Sequence, residues 1–160
     1  MHIAIDWSIA RHLALSALLS GLIGFERGWS KKPAGLRTHL LVSLGSTLIM
    51  LISIHMAEMF PRANVDPTRI AANVVAGLGF LGAGTIMRLG VSVQGLTTAA
   101  SIWAVGAIGL AVGCNYYGAA VQTTIAVLAA LILFGRVEHY VMAKVRHEST
   151  GRKSGKKRQR

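Results

Sequence analysis

The sequence contains a single cysteine, Cys114, and few charged residues. Only 14% of its 160 residues are Asp, Glu, Lys or Arg, and only six residues are acidic. One cysteine excludes a disulfide scaffold, and an average soluble domain has about 25% charged residues. The hydrophobic fraction of 52% is too high for an intrinsically disordered chain. The composition is therefore that of one apolar domain, and the positions of its few charged residues along the sequence become informative.

The apolar residues are gathered into long runs. A transmembrane helix needs about 20 mostly apolar residues to cross about 30 Å of hydrocarbon. The runs are this long, and they lack the alternation of barrel strands. The first is predicted to be a retained helix rather than a secretion signal, because residues 1–10 contain Asp6 and no Lys or Arg. We predict an all-α polytopic membrane bundle with about five transmembrane helices, at about 7–25, 38–57, 70–87, 95–114 and 116–134.

The positive charges that give the chain its net charge of +11 are segregated. If five helices alternate in direction, 14 of the 17 Lys and Arg residues lie on the side of the C-terminal tail. The positive-inside rule then predicts an external N-terminus and a cytoplasmic C-terminus. We predict a transmembrane domain over 1–135 and a basic tail over 136–160, disordered from about 149. The tail lacks aromatic residues after Tyr140 for stacking on bases, so we expect it to contact anionic lipid headgroups and not nucleic acid.

Glycines recur at helical spacing within the runs. Gly77, Gly79 and Gly82 match the dinucleotide pattern G-x-G-x-x-G, but that site needs a strand-to-helix turn and an acidic residue about 20 positions later. No Asp or Glu occurs between Asp66 and Glu138, so we reject the nucleotide interpretation. In lipid, glycine lets helix backbones approach closely. The predicted helix-packing residues are Gly24, Gly28, Gly77, Gly79, Gly82, Gly84, Gly109 and Gly113.

A few polar residues in or beside the runs are candidates for function. Glu26 ends an apolar helix, where a carboxylate tends to face the bundle interior, although a pair with Arg27 or Arg37 at the headgroups explains it equally well. Each of the others also has a structural explanation: membrane anchor, helix cap, exposed ion pair or interhelical hydrogen bond. The functional polar candidates are Glu26, Arg27, Arg37, Thr38, Asp66, Arg69 and Asn73.

The sequence shows no arrangement typical of catalysis or of a cofactor site. It has no zinc-ligand spacing, no P-loop and no nucleophile with a base nearby. Mg²⁺ prefers one or two carboxylates with retained waters, and the predicted topology puts Glu26 and Asp66 on opposite sides of the membrane. We therefore predict that the chain is not an enzyme and that it holds no metal ion or cofactor.

Five blocks of sequence together resemble the MgtC/SapB family of bacterial membrane proteins. They are GLIGFER at 21–27, AGLRTH at 34–39, DPTRI at 66–70, GLGFLGAG at 77–84 and GLTTAASIWA at 95–104. The resemblance covers about 13–134. It implies an inner-membrane protein linked to growth at low Mg²⁺ and, in pathogens, to survival inside phagocytes. Longer members of the family continue into a soluble C-terminal domain, whereas here a basic stretch of about 25 residues follows the last predicted helix.

Two functions are compatible with these observations. The first is a regulator that binds other membrane proteins, or a second copy of itself, through glycine-rich helix faces; this is the family picture that the resemblance favours. The alternative is a subunit of a transporter or channel for Mg²⁺ or another ion, in which Glu26 acts within an oligomer.

Overall fold

The computed structural model describes residues 6–61 and 66–136, and over these it confirms the predicted all-α bundle. The residues up to Val127 form one compact unit, and Leu128–Arg136 belong to a second. Of the predicted basic tail over 136–160, only Arg136 is described, so the predicted start of disorder at about 149 lies outside the described residues. The elements in chain order are α1 (Trp7–Trp29), α2 (Leu36–Met59), α3 (Thr68–Ala83), β1 (Met87–Leu89), β2 (Ser92–Gln94), α4 (Leu96–Gly113) and α5 (Tyr117–Arg136).

Four of the helices, α1, α2, α4 and α5, are long and apolar enough to cross a membrane. Helix α3 is apolar but has only 16 residues, which at 1.5 Å per residue spans about 24 Å. Asp66 fixes its start, because the carboxylate oxygen accepts hydrogen bonds from the Thr68 amide at 2.8 Å and the Thr68 hydroxyl at 2.7 Å. The helix begins at Thr68, two residues before the predicted start at about 70.

Helix α3 ends at Ala83 rather than near residue 87, and an antiparallel hairpin follows it. The Thr85 amide and hydroxyl both bond the Gly82 carbonyl, at 3.0 and 2.8 Å, and close the helix. Gly90 turns the chain between the strands with φ 62°. The sequence prediction missed this hairpin because its apolar residues prolong the apolar run of α3, and composition alone does not separate a strand from a helix end.

Helix α4 is the centre of the compact unit and contacts α1, α2 and α3. Its contact with α2 is possible because two residues lack side chains. A Cβ added at Gly109 would lie 2.4 Å from the Ser43 carbonyl oxygen, and one added at Gly113 would lie 2.8 Å from that of Thr47. On another side of α4, the Leu78 side chain of α3 occupies the space over Gly106. Small residues therefore set the helix spacing, as expected where lipid removes the hydrophobic drive between helices.

Candidate functional site: a polar column and an open groove

Buried hydroxyl groups join helices α1, α2 and α4 at the middle of the bundle. The Thr47 hydroxyl of α2 lies 2.8 Å from the Ser16 hydroxyl of α1 and 2.9 Å from the Gly109 carbonyl oxygen of α4. The Ser16 and Ser43 hydroxyls are 2.8 Å apart. All three of these side chains are fully buried. In a membrane, where a polar group finds no water, these hydrogen bonds hold α1, α2 and α4 in one register.

Histidines lie at both ends of this cluster, and we call the whole set the polar column. His39 is fully buried. Its Nδ1 lies 2.8 Å from the Gly35 carbonyl oxygen and its Nε2 lies 3.0 Å from the Ser101 hydroxyl of α4. At the other end, His12 Nε2 is 2.9 Å from both the Asn115 side-chain oxygen and the Tyr117 hydroxyl. His12 thereby links α1 to the turn between α4 and α5.

The sequence analysis did not single out the polar column. Its signal is present, because His12, Ser16 and Ser20 recur every four residues, and so do His39, Ser43 and Thr47. Four-residue spacing puts side chains on one face of a helix. Single Ser and Thr residues are common in apolar runs, so this spacing alone does not predict that the side chains meet in a buried cluster.

Glu26 and Arg27 form an ion pair at the end of α1. The Arg27 guanidinium is buried. Its Nη2 donates to Glu26 Oε1 at 2.6 Å, and its Nε donates to Glu26 Oε2. The Ser30 hydroxyl donates to the same carboxylate at 2.9 Å. Both Glu26 oxygens are therefore engaged by its own helix end. Arg37, the other partner considered for this carboxylate, is exposed.

The remaining polar candidates lie on the surface and are not brought together. Thr38 is exposed and does not cap α2, whose N-cap residue is Gly35. Arg69 and Asn73 are exposed on α3. Asp66 is exposed as well, and the hydrogen bonds from the Thr68 side chain and amide lower the pKa of its carboxyl below the usual value.

The predicted packing glycines divide into two groups. Gly24 contacts α2, since an added Cβ would lie 2.9 Å from the Leu36 Cα, and Gly28 lies under Gly35, whose added Cβ would be 3.4 Å from the Gly28 Cα. Gly82 faces Ala99 of α4 at 3.5 Å, while Gly84 meets only carbonyl oxygens of the preceding α3 turn. The glycines whose added Cβ would meet another helix are Gly24, Gly82, Gly109 and Gly113. By contrast, a Cβ added at Gly28, Gly77 or Gly79 would meet open space.

Gly77 belongs to a groove between α2 and α3, which we call the α2–α3 groove. Its volume is about 640 Å³, and its walls are mostly apolar side chains of the two helices. Gly45 of α2 and Gly77 of α3 both line it, and each leaves open space above its backbone. The exposed Asn73 amide also lines it. The groove thus combines close backbone access with one exposed polar side chain, since the other polar residue of its lining, Ser46, is buried and donates to the Val42 carbonyl.

Within 6–61 and 66–136, no three His, Cys, Asp or Glu side chains lie close enough together to hold a metal ion. The residues of the α2–α3 groove are suited to a hydrophobic occupant that offers one polar group. The polar column, by comparison, satisfies its own hydrogen bonds and has no buried side-chain N or O atom left without a partner in the described residues.

Comparison with known proteins agrees with the sequence blocks. The MgtC family profile matches residues 13–140. The chain belongs to the MgtC family. The predicted resemblance is therefore confirmed. The glycines of α3, the Glu26–Arg27 pair and all of the polar column except His12 lie within the region that the family profile matches.

Individual relatives place the chain in a bacterial membrane. It is 41% identical over 138 residues to the Escherichia coli K12 protein named putative magnesium transporter YhiD. The matched region covers 84% of this chain and 64% of that protein. It is 43% identical over 122 residues to protein MgtC of Salmonella typhimurium, covering 76% and 50%. The chain thus spans between half and two thirds of these relatives. No solved structure matches it.

The long apolar helices and these relatives identify a multi-pass protein of the bacterial inner membrane. One of the relatives, the Escherichia coli K12 protein, is named a putative magnesium transporter. The predicted location is confirmed at this level.

Proposed function

We propose that the chain is a non-catalytic regulator in the inner membrane that acts by binding other membrane proteins during adaptation to low Mg²⁺. In a pathogen, the same activity would serve survival inside phagocytes, as the resemblance to the MgtC family implies. The α2–α3 groove is the observation that carries this proposal. It is an opening between two apolar helices that the described residues 6–61 and 66–136 leave unfilled.

The groove's chemistry favours a transmembrane helix as its occupant. Gly45 and Gly77 permit close approach of another helix backbone. An amide such as Asn73 is costly to leave unpaired in hydrocarbon, which favours an occupant with a polar side chain at the same depth. We therefore propose that the bound partner is a membrane protein with a helix of small residues and one hydrogen-bonding group.

Substitution of two neighbouring glycines tests the groove. Gly77→Leu fills it, whereas Gly79→Leu adds the same side chain to the same helix in open space outside the groove. We expect Gly77→Leu to lower recovery of photo-cross-linked partners from low-Mg²⁺ membranes at least about tenfold, equivalent to about 1.4 kcal/mol. The cross-linker is placed at Leu41, which lines the groove. In cells that carry Gly77→Leu, growth at low Mg²⁺ should decrease together with the recovery of cross-linked partners.

Gly79→Leu should leave both cross-linking and growth at the level of the unsubstituted protein. Equal cross-linking in the two variants would contradict the groove as the docking surface. If the only cross-links obtained join two copies of this chain, the occupant of the groove is a second copy of the chain and not a different membrane protein.

The second candidate, an ion transporter, is favoured by the name of the Escherichia coli relative. Its test is flux of Mg²⁺ into liposomes that contain the purified chain. Because Arg27 and Ser30 engage the Glu26 carboxylate, we expect no flux above empty liposomes. If the unsubstituted chain carries Mg²⁺ into liposomes and Glu26→Gln abolishes this flux, the proposal of a regulator is contradicted and the chain is a transporter.

We also propose the orientation with the N-terminus outside and the C-terminus in the cytoplasm. His39 of α2 contacts Ser101 near the start of α4, so the α1–α2 loop and the hairpin lie at the same end of the bundle. The exposed basic residues Lys31, Lys32 and Arg37 thus share an end with Arg88. This clustering supports a cytoplasmic location for that end. The proposed lipid contact of the basic tail concerns residues outside the described part of the chain.

A further inference from the structure

The hairpin of β1 and β2 presents apolar side chains that nothing in the compact unit covers. Every residue of both strands is exposed. Met87, Leu89 and Val93 are at least about half exposed, and Val91 at the turn is fully exposed. An isolated two-stranded hairpin is marginally stable in water unless an apolar face is covered. A covering surface is therefore required for these residues.

The base of the hairpin is held rigidly against the helices that carry it. Gly95 has φ 92°, and a Cβ added there would lie 2.0 Å from the Thr85 carbonyl oxygen. This close approach joins the chain leaving α3 to the chain entering α4. The hairpin therefore has a fixed origin at the end of two membrane helices.

The length of α3 determines how deep that origin lies. The helix spans about 24 Å, whereas the hydrocarbon core is about 30 Å thick. With the exposed carboxylate of Asp66, which caps the start of α3, outside the hydrocarbon on the opposite side, a helix of this length ends at the near boundary of the hydrocarbon. The segment from Thr85 onward then begins at that boundary. Apolar side chains at this depth reach acyl chains without moving the helices.

The backbone of the hairpin sets the opposite limit. Each strand pairs only with the other, Met87 with Gln94 and Leu89 with Ser92, so each has an outer edge of unpaired amide and carbonyl groups. Lipid-exposed open edges do not occur in the hydrocarbon core. The side chains of the hairpin are too apolar for water, and its strand edges are too polar for the hydrocarbon core of the bilayer. The headgroup region between water and hydrocarbon satisfies both limits.

We propose that this hairpin is a membrane-interface anchor, whose occupant is the phospholipid bilayer itself. Met87 and Leu89, which share one face of the hairpin, and Val91 at its turn reach the upper acyl chains. The edge amides and the other face, where Arg88 pairs with Val93, meet headgroups and water. The open edges could instead pair with a strand of another protein, and the test below separates that outcome. This proposal does not depend on the α2–α3 groove or on the identity of a partner.

A single fluorescent label tests the anchor in the full chain. Cys114→Ser removes the cysteine, and Val91→Cys then carries a polarity-sensitive nitrobenzoxadiazole label in nanodiscs that hold one chain each. We expect lipids brominated near the headgroup end of their acyl chains to quench it about twofold more than a label at Lys32→Cys, an exposed loop site at the same end. Aqueous iodide should show the reverse preference.

Equal quenching of the two labels by bromolipid, with full access of iodide to Val91, would overturn the proposal. Shielding of Val91 that appears only when two chains or a partner share a disc would overturn it too, in favour of strand pairing. Retained helical circular dichroism and a monodisperse elution peak confirm that each labelled chain is folded.

Discussion

Gly109→Leu should disrupt the bundle more than a typical substitution, because the new side chain would meet backbone and not a flexible neighbour. Even the first carbon would lie 2.4 Å from the Ser43 carbonyl oxygen and 2.9 Å from the Ser46 Cβ. Leucine would force α2 and α4 apart and separate Thr47 from the Gly109 carbonyl. We expect a loss of about 3 kcal/mol, the upper end of the usual range for overpacking. Equilibrium unfolding by SDS, added to protein in mild detergent, measures it.

Gly118→Leu is the matched control for this substitution. Gly118 lies in α5, where an added Cβ meets nothing within 4 Å, and leucine has the better helix propensity. We expect its free energy of unfolding to stay within about 0.5 kcal/mol of the unsubstituted value. A Gly109→Leu protein as stable as this control would show that α2 and α4 are not in backbone contact.

Gly95→Ala should cost more than any other single-methyl change in the hairpin region. Two effects add: φ of 92° is unfavourable for a residue with a side chain, and the new methyl would lie 2.0 Å from the Thr85 carbonyl oxygen. The conformational effect alone is about 1–2 kcal/mol, and the collision requires the hairpin base to open. We expect a lower thermal midpoint in detergent and faster proteolysis between residues 86 and 94.

Gly90→Ala separates the two effects. Gly90 also has a positive φ, of 62°, but an added Cβ there meets open space. It should therefore show the conformational cost and no collision, with proteolysis at 86–94 close to that of the unsubstituted protein. If both alanine variants lose the same stability, the approach of Gly95 to Thr85 contributes nothing.

The fold class could be predicted from the sequence because long apolar composition is a local property. A run such as 38–57 is too long and too uncharged for most alternatives, and α2 occupies Leu36–Met59. The end of α3 could not be predicted in the same way. The stretch from Gly84 to Met87 continues the uncharged run of α3. Only the hydrogen bonds of Thr85 and the hairpin that follows show that the helix has stopped.

The polar residues illustrate a different limit. Glu26 stood out because a carboxylate is rare in an apolar segment, and its pair with Arg27 is a neighbour contact that the sequence already suggested. His39 and Ser101 are 62 positions apart, so their contact depends on how α2 meets α4. Likewise, glycine spacing marked α3 as a packing helix, but only the three-dimensional arrangement shows that Gly82 faces α4 and Gly77 faces the groove.

The central position of α4 has a consequence for biosynthesis. Buried Leu78 and Gly82 of α3 contact α4, yet α3 leaves the ribosome before α4 does. A 16-residue helix entering the bilayer at that stage lacks the neighbour that covers its small residues. Helices α3 and α4 should therefore enter the membrane as a pair joined by the rigid hairpin, onto an α1–α2 pair that has already formed.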